Sequence, residues 1–245
     1  MPKDQGLSAY EERYRLVYEA GARFWWEHEP HQLLVAHTLK IPKGSACIEF
    51  GCGEGFEARF LAGRGMKVTA IDLSPSAIAR AEAETPCELN VVYRVGDITD
   101  LKALGIPDSS FDFGIDVHCL HMFSDPADRK NYLSEVKRVL KPGGRFYLQN
   151  MLALDDVIPK NEAEAMAIME MKAFQSTYKG GDRTPRPVKT QEGIKDILLP
   201  LCPGCKAQSL QGYIRELTQA GFTVLNAERG GSSDGSYAAI IFASL

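Results

Sequence analysis

No stretch of this chain approaches the ~20 consecutive apolar residues that a membrane-spanning helix requires. Nor is there an excess of positive charge: 28 Lys and Arg against 32 Asp and Glu leave a net −4, which disfavours a nucleic-acid polyanion as the main partner. Cysteine is sparse. Cys47, Cys52, Cys87 and Cys119 are scattered, as free thiols in a reducing compartment would be. Cys202 and Cys205 form a single Cys-Pro-Gly-Cys, half of a structural zinc site with no second pair to complete it, so no metal is expected. The opening residues, MPKDQGLSAYEERYR, contain no apolar run of a signal peptide, and a cytoplasmic location is expected. There are no internal repeats and no low-complexity tracts. What remains is an ordinary globular composition, 44% hydrophobic and 24% charged over 245 residues, enough for one α/β domain with its own core and room for an insertion.

One stretch organises the rest. From Ala46 the chain reads ACIEFGCGEGFEARFLAGRGMKVTAIDLSPSAIARA. An apolar run ends at Phe50 in a turn with glycines at alternate positions, Gly51, Gly53 and Gly55. A helical pattern with Phe56, Phe60 and Leu61 on one face follows, and a second apolar run, Val68 to Ile71, ends in Asp72. This is a strand, Gly-rich turn, helix, strand unit with an acid at the tip of the second strand. Glycine permits unusual φ/ψ and lets backbone N–H groups approach a ligand closely. An acid at that position can accept from both hydroxyls of a ribose. A dinucleotide site would place a third glycine where Phe56 stands. Carboxylates at Glu49, Glu54 and Glu57 would repel a pyrophosphate and suit a ligand carrying an ammonium group.

The pattern Glu49-x-Gly51-Cys52-Gly53-x-Gly55 resembles the first motif of class I S-adenosylmethionine-dependent methyltransferases, and further strings match in the same order. Asp72-Leu73-Ser74 and the helix after it resemble the family's ribose-binding segment. Gly96-Asp97-Ile98 resembles its adenine-binding turn, where Asp97 would accept from the amine and Ile98 would pack on the ring. Pro107 to Asp112 resembles the entry to its fourth strand, which ends here at Asp116-Val117-His118-Cys119-Leu120-His121. Lys141-Pro142-Gly143-Gly144 resembles its most recognisable turn. The family implies one α/β domain over 1–245. Its doubly wound, seven-stranded, Rossmann-like sheet ends in an antiparallel strand pair, with S-adenosylmethionine as cofactor and S-adenosylhomocysteine as product.

Outside those motifs the sequence is read from pattern. Leu7 to Glu27 has helical spacing, with Ser8 and Glu11 as a capping box, and residues 1–40 resemble the N-terminal helical cover of thiopurine methyltransferase-like proteins. Residues 152–208 form an insertion expected to act as a lid over the acceptor. Within it, Asn161 to Thr177 reads as a helix, Tyr178 to Thr190 as a loop, and Ile194 to Leu201 as a strand or short helix.

The expected cofactor site is Glu49, Gly51, Gly53, Gly55, Asp72, Leu73, Asp97, Ile98, Asp116 and Val117. His118 and His121 stand where open α/β sheets bind ligands, and either can remove an acceptor's proton; the plain alternative is that they cap or bond backbone. Trp25, Trp26 and His31 can line the pocket or simply pack. Arg183 and Arg186 can grip an acceptor carboxylate or merely be solvated. The implied function is methyl transfer to a small-molecule acceptor by a monomer or homodimer. The alternatives are a nucleotide-dependent oxidoreductase, a methyltransferase of peptide, protein or RNA, and a non-catalytic cofactor-binding module.

Overall fold

The computed structural model describes residues 3–25, 27–176, 182–201, 206–231 and 237–245; Trp26, Gly180, Gly181, Cys202 and Cys205 lie outside them. Seven strands form the main sheet: β1 (Ala46–Phe50), β2 (Lys67–Asp72), β3 (Val91–Val95), β4 (Phe111–Val117), β5 (Leu140–Met151), β8 (Thr223–Gly231) and β9 (Tyr237–Ser244). Their order is β3-β2-β1-β4-β5-β9-β8. The first five are parallel, and β9 runs antiparallel between β5 and β8. The order reverses between β1 and β4, so the Gly-rich turn after β1 sits at the switch point where such sheets bind ligands.

The apolar periodicities set the layers. Ile48 and Phe50 face one core with Tyr132, Leu133, Val136 and Val139 of α5 (Pro126–Val139). Cys47 faces the other core, with Ala58 and Leu61 of α3 (Phe56–Gly63). That inward face of α3 carries Glu57, Ala58, Leu61 and Ala62, whereas Phe56 and Phe60 stay half-buried. Ser74 caps α4 (Pro75–Glu84) by accepting from Ala77 N. Ser209 caps α7 (Leu210–Ala220), which ends at Gly221 with φ 94°, the left-handed value that glycine tolerates.

Two regions depart from the pattern reading. The first helix, α1, runs Lys3–Glu19 and stops well short of Glu27; Gly21, at φ 91°, turns the chain away. Ser8 therefore lies inside the helix, and Glu11 makes no capping box. It bonds instead to Ser74 and Ser76 at the start of α4. The second departure is in 152–208. It holds α6 (Glu162–Ser176) and a hairpin of β6 (Arg183–Thr190) and β7 (Gly193–Pro200), so the Arg/Pro-rich stretch is a strand and not a loop. Pro185 and Pro187, lacking N–H donors, are tolerable because this is a two-stranded ribbon with open edges. Val188 and Leu199 of the hairpin share a small core with Val17 and Ala22 of the N-terminal segment. The cover and the insertion are thus packed on each other.

Candidate functional site

The turn after β1 is held by Gly51 N and Cys52 N donating to Ile71 O, at 2.8 and 2.9 Å. Gly51, Gly53 and Gly55 have φ of 72°, 49° and 75°, values that a Cβ strains. Side chains also crowd the turn. A Cβ on Gly53 would stand 2.7 Å from the Tyr14 hydroxyl, and one on Gly51 would stand 2.5 Å from Cys119 Sγ. Part of the space beside Gly53 is therefore filled by the chain's own N-terminal helix.

Asp72, half-buried at the tip of β2, accepts Gly53 N at 2.8 Å through one oxygen and Ser74 N at 2.9 Å through the other. Burial raises its pKa, and the amides act against that rise. Each oxygen keeps a lone pair for a further donor. Leu73 beside it is half-buried. Asp97 follows β3 and accepts from Thr99 N and Thr99 Oγ1 with Oδ1 alone. Ile98 is buried at 3% in the core beside Leu101.

The three carboxylates around the turn have separate fates. Glu54 accepts Tyr18 OH at 2.8 Å and Trp25 N at 2.7 Å. Glu57 pairs with His28 at 2.6 Å. Both serve to bind the N-terminal segment. Glu49 is buried at 2%, and among the described residues its Oε2 has no hydrogen-bond partner. Burial first, then the charges of Glu57 and Asp72, push its pKa well above the carboxylate range.

At the tip of β4, Asp116 is wholly buried. Its carboxylate accepts from Cys119 N, Leu120 N, Tyr132 OH and Asn150 Nδ2, at 2.7 to 2.9 Å. Burial raises its pKa to about 6 while these donors oppose the rise. Asp116 thus shapes the turn that follows β4 and has no free edge for a cofactor, contrary to expectation. Since a carboxylate only accepts, Asn150 turns its NH2 toward Asp116 and its oxygen toward His121. His121 N and Nδ1 both reach that oxygen, at 2.8 and 2.7 Å, so the ring proton resides on Nδ1. His121 is buried at 3%, and burial drops its pKa to about 3, which makes it a poor base. His118 is different: half-buried, at φ 64°, in a conformation costly for a residue with a Cβ. Its Nε2 lies 3.4 Å from Gln149 Nε2, whose amide oxygen accepts Tyr147 OH at 2.8 Å. Val117, just before it, is half-buried.

The outlying candidates separate. Trp25 backs Tyr14 edge-on, with ring centroids 4.9 Å apart, and carries the Arg13 guanidinium over its face at 4.4 Å. His31 caps α2 (Gln32–Thr38) by accepting Leu33 N and lies beside Gly230 of β8, four strands from β1. Arg183 pairs with Glu12 of α1 at 2.5 Å, and Arg186 is exposed on the hairpin. His31 is thus placed at β8, and Arg183 is a strut to the cover. Pattern reading missed Tyr14 and Glu11; the only signal was their shared helix face with Tyr18, spaced i, i+3, i+7. A cavity of about 350 Å3 opens at the end of β5, lined by Met151, Leu152, Leu154 and Lys172 among others.

Three neighbouring strands therefore end in a Gly-rich turn, Asp72 and Asp97, and residues 48–148 match the family model described as a methyltransferase domain. That stretch resembles a methyltransferase domain. It is 35% identical over 186 residues to 2-methyl-6-phytyl-1,4-hydroquinone methyltransferase of Synechocystis sp., covering 71% of this chain and 56% of that protein. It is 29% identical over 145 residues to a ubiquinone biosynthesis O-methyltransferase of Xanthomonas axonopodis pv. citri, covering 55% and 59%. The chain thus spans less than two thirds of the length of these relatives. In fold it is similar to a methyltransferase from Methanosarcina mazei described as SAM-dependent, with a TM-score of 0.63, 21% identity, and 89% and 98% of the two chains covered. Among the described residues, no helix is long and apolar enough to cross a membrane.

Proposed function

We propose that this protein transfers the methyl group of S-adenosylmethionine to a small-molecule acceptor, leaving S-adenosylhomocysteine. The observation that carries the reading is the set of acceptors around the turn. Among the described residues, Glu49 Oε2 is buried without a partner, Asp72 has one lone pair free on each oxygen, and Asp97 accepts with only one of its two oxygens. These fit, in order, an ammonium group, a pair of ribose hydroxyls and an adenine amine. Burial holds the Glu49 carboxyl in its neutral form, and a cation placed beside it would favour the charged form.

The cofactor brings a sulfonium-bound methyl group that is already reactive toward a nucleophile. What this chain adds is orientation and exclusion of water. The N-terminal segment, tied down through Glu11, Tyr18 and Trp25, closes one side; residues 152–208 act as a lid on the other, over the cavity at the end of β5. Trp25, with Tyr14, lends an aromatic lining near the positive sulfur, which cation–π attraction favours. His118, strained and half-buried at the tip of β4, is the residue to accept or hold an acceptor's proton; an acceptor with none to lose needs no base. Arg186 is available to an acidic acceptor.

Relatives named for hydroquinone and ubiquinone-biosynthesis methylation favour a small acceptor over a macromolecule. The net charge of −4 agrees with that. Free thiols at Cys47, Cys52, Cys87 and Cys119 support a cytoplasmic location, and the protein would act as a monomer or homodimer. Incubation with methyl-labelled cofactor and a metabolite extract, followed by mass spectrometry, tests the reading. Label should appear in a small molecule together with stoichiometric S-adenosylhomocysteine. Label in protein or RNA, or cofactor binding with no transfer, would sink it.

A further inference from the structure

The N-terminal helix does more than cover the turn. Glu11, Tyr14 and Tyr18 are spaced three and four residues apart, and so share one face of α1. The outer two are anchored. Glu11 takes Ser74 Oγ at 2.6 Å and Ser76 N at 3.1 Å at the mouth of α4, just past Asp72. Two turns further on, Tyr18 OH donates to Glu54 at 2.8 Å, just past Gly53. Tyr14 is held between these anchors. Its ring is backed by Trp25 at 4.9 Å, and its hydroxyl reaches the Gly-rich turn, 2.7 Å from where a Gly53 side chain would begin. Burial, then the charges of Asp72 and Glu54, raise its pKa far above any working pH. It is therefore a neutral phenol and a permanent donor, set among groups that accept.

We infer that Tyr14 is a cofactor-binding residue, its hydroxyl donating to the carboxylate of the amino-acid end of S-adenosylmethionine beside Gly53. The inference rests on the methyltransferase reading. It follows from complementarity. The charges that act on the Tyr14 hydroxyl are those of Asp72 and Glu54, which suit an ammonium group and ribose hydroxyls and would repel a carboxylate. A zwitterionic amino-acid end needs a donor as well as an acceptor. Tyr14 brings a side-chain O–H to the turn itself, and the Glu11 and Tyr18 anchors fix it there. Glu11 is then a positioning residue for Tyr14. A consequence is that α1, remote in sequence from every family motif, takes part in cofactor affinity.

The test is calorimetry with two ligands: S-adenosylhomocysteine, and 5′-methylthioadenosine, which keeps the nucleoside and the sulfur but lacks the amino-acid end. Tyr14→Phe retains the ring and its packing on Trp25, and a thermal melt checks that it folds. It should bind S-adenosylhomocysteine about tenfold more weakly or worse, as the loss of one hydrogen bond to a charged group implies, and should bind methylthioadenosine as the wild type does. Glu11→Ala, which frees the helix, should reproduce the selective loss in part. Unchanged affinity of Tyr14→Phe for S-adenosylhomocysteine would overturn the inference. So would an equal loss for both ligands, which would make Tyr14 structural only. Wild-type protein that binds neither ligand would overturn the methyltransferase reading itself, and the inference with it.

Discussion

His121 Nδ1 lies 2.7 Å from Asn150 Oδ1, and Asn150 in turn donates to the buried Asp116. This chain of one imidazole, one amide and one carboxylate fixes the turn after β4. It also fixes the protonation of His121, whose pKa burial lowers to about 3. The His121 ring should stay neutral on titration by NMR from pH 8 to about pH 4, while an exposed histidine titrates near its ordinary value. A group with a lowered histidine pKa costs stability as pH falls. The unfolded chain takes up the proton near pH 6.5 and the folded chain does not, so this contribution is lost at about 1.4 kcal/mol per pH unit from there toward pH 3. A His121 midpoint near 6.5 would refute the arrangement.

The same geometry separates the two histidines. His118→Gln should lower turnover on a proton-bearing acceptor by roughly a hundredfold, the lower end of general-base effects, with S-adenosylhomocysteine affinity unchanged. His121→Gln should chiefly lower the unfolding free energy, because a buried hydrogen-bonded ring is lost. Steady-state kinetics beside urea unfolding distinguishes these outcomes. Equal turnover in His118→Gln would remove it from the chemistry.

Asp72 braces the Gly-rich turn and is the residue proposed to hold the ribose. Asp72→Asn should weaken S-adenosylhomocysteine binding by more than tenfold, since a charged double acceptor contributes roughly 2–3 kcal/mol to two hydroxyl donors. It should also lower the melting temperature by a few degrees, because an amide group would face the N–H of Gly53 or Ser74. Calorimetry showing wild-type affinity would end its assignment to the ribose.

Arg129 is buried at 3%. It pairs with Glu216 of α7 at 2.6 Å while donating to the carbonyls of Leu120, Phe123 and Lys206. It ties the His118–Phe123 turn to the end of the insertion. Arg129→Met should destabilise the fold by about 3 kcal/mol, as removal of one partner of a buried pair does, read as a lower urea midpoint. A loss under 1 kcal/mol would show that the turn holds without it.

What the sequence by itself determined here is local and periodic. The strands Ala46–Phe50 and Tyr237–Ser244 and the helix Leu210–Ala220 follow from apolar spacing and caps. The Gly51-x-Gly53-x-Gly55 turn and Asp72 at the next strand tip lie close together in the chain, so short-range chemistry places them. Contacts across 29 to 171 positions were not legible, because no local pattern encodes a distant partner. Only the tertiary structure gave Glu54 to Tyr18 and Trp25, and Arg183 to Glu12. It closed Asp116 and His121 into a buried network that keeps the His121 ring neutral and a weak base. It also folded the Arg/Pro-rich stretch into a hairpin against the N-terminal segment, where Val188 and Leu199 find an apolar face that no loop reading anticipates. Tyr14 is the sharpest case: an aromatic residue on a helical stripe reads as core, and only the tertiary packing brings its hydroxyl beside Gly53.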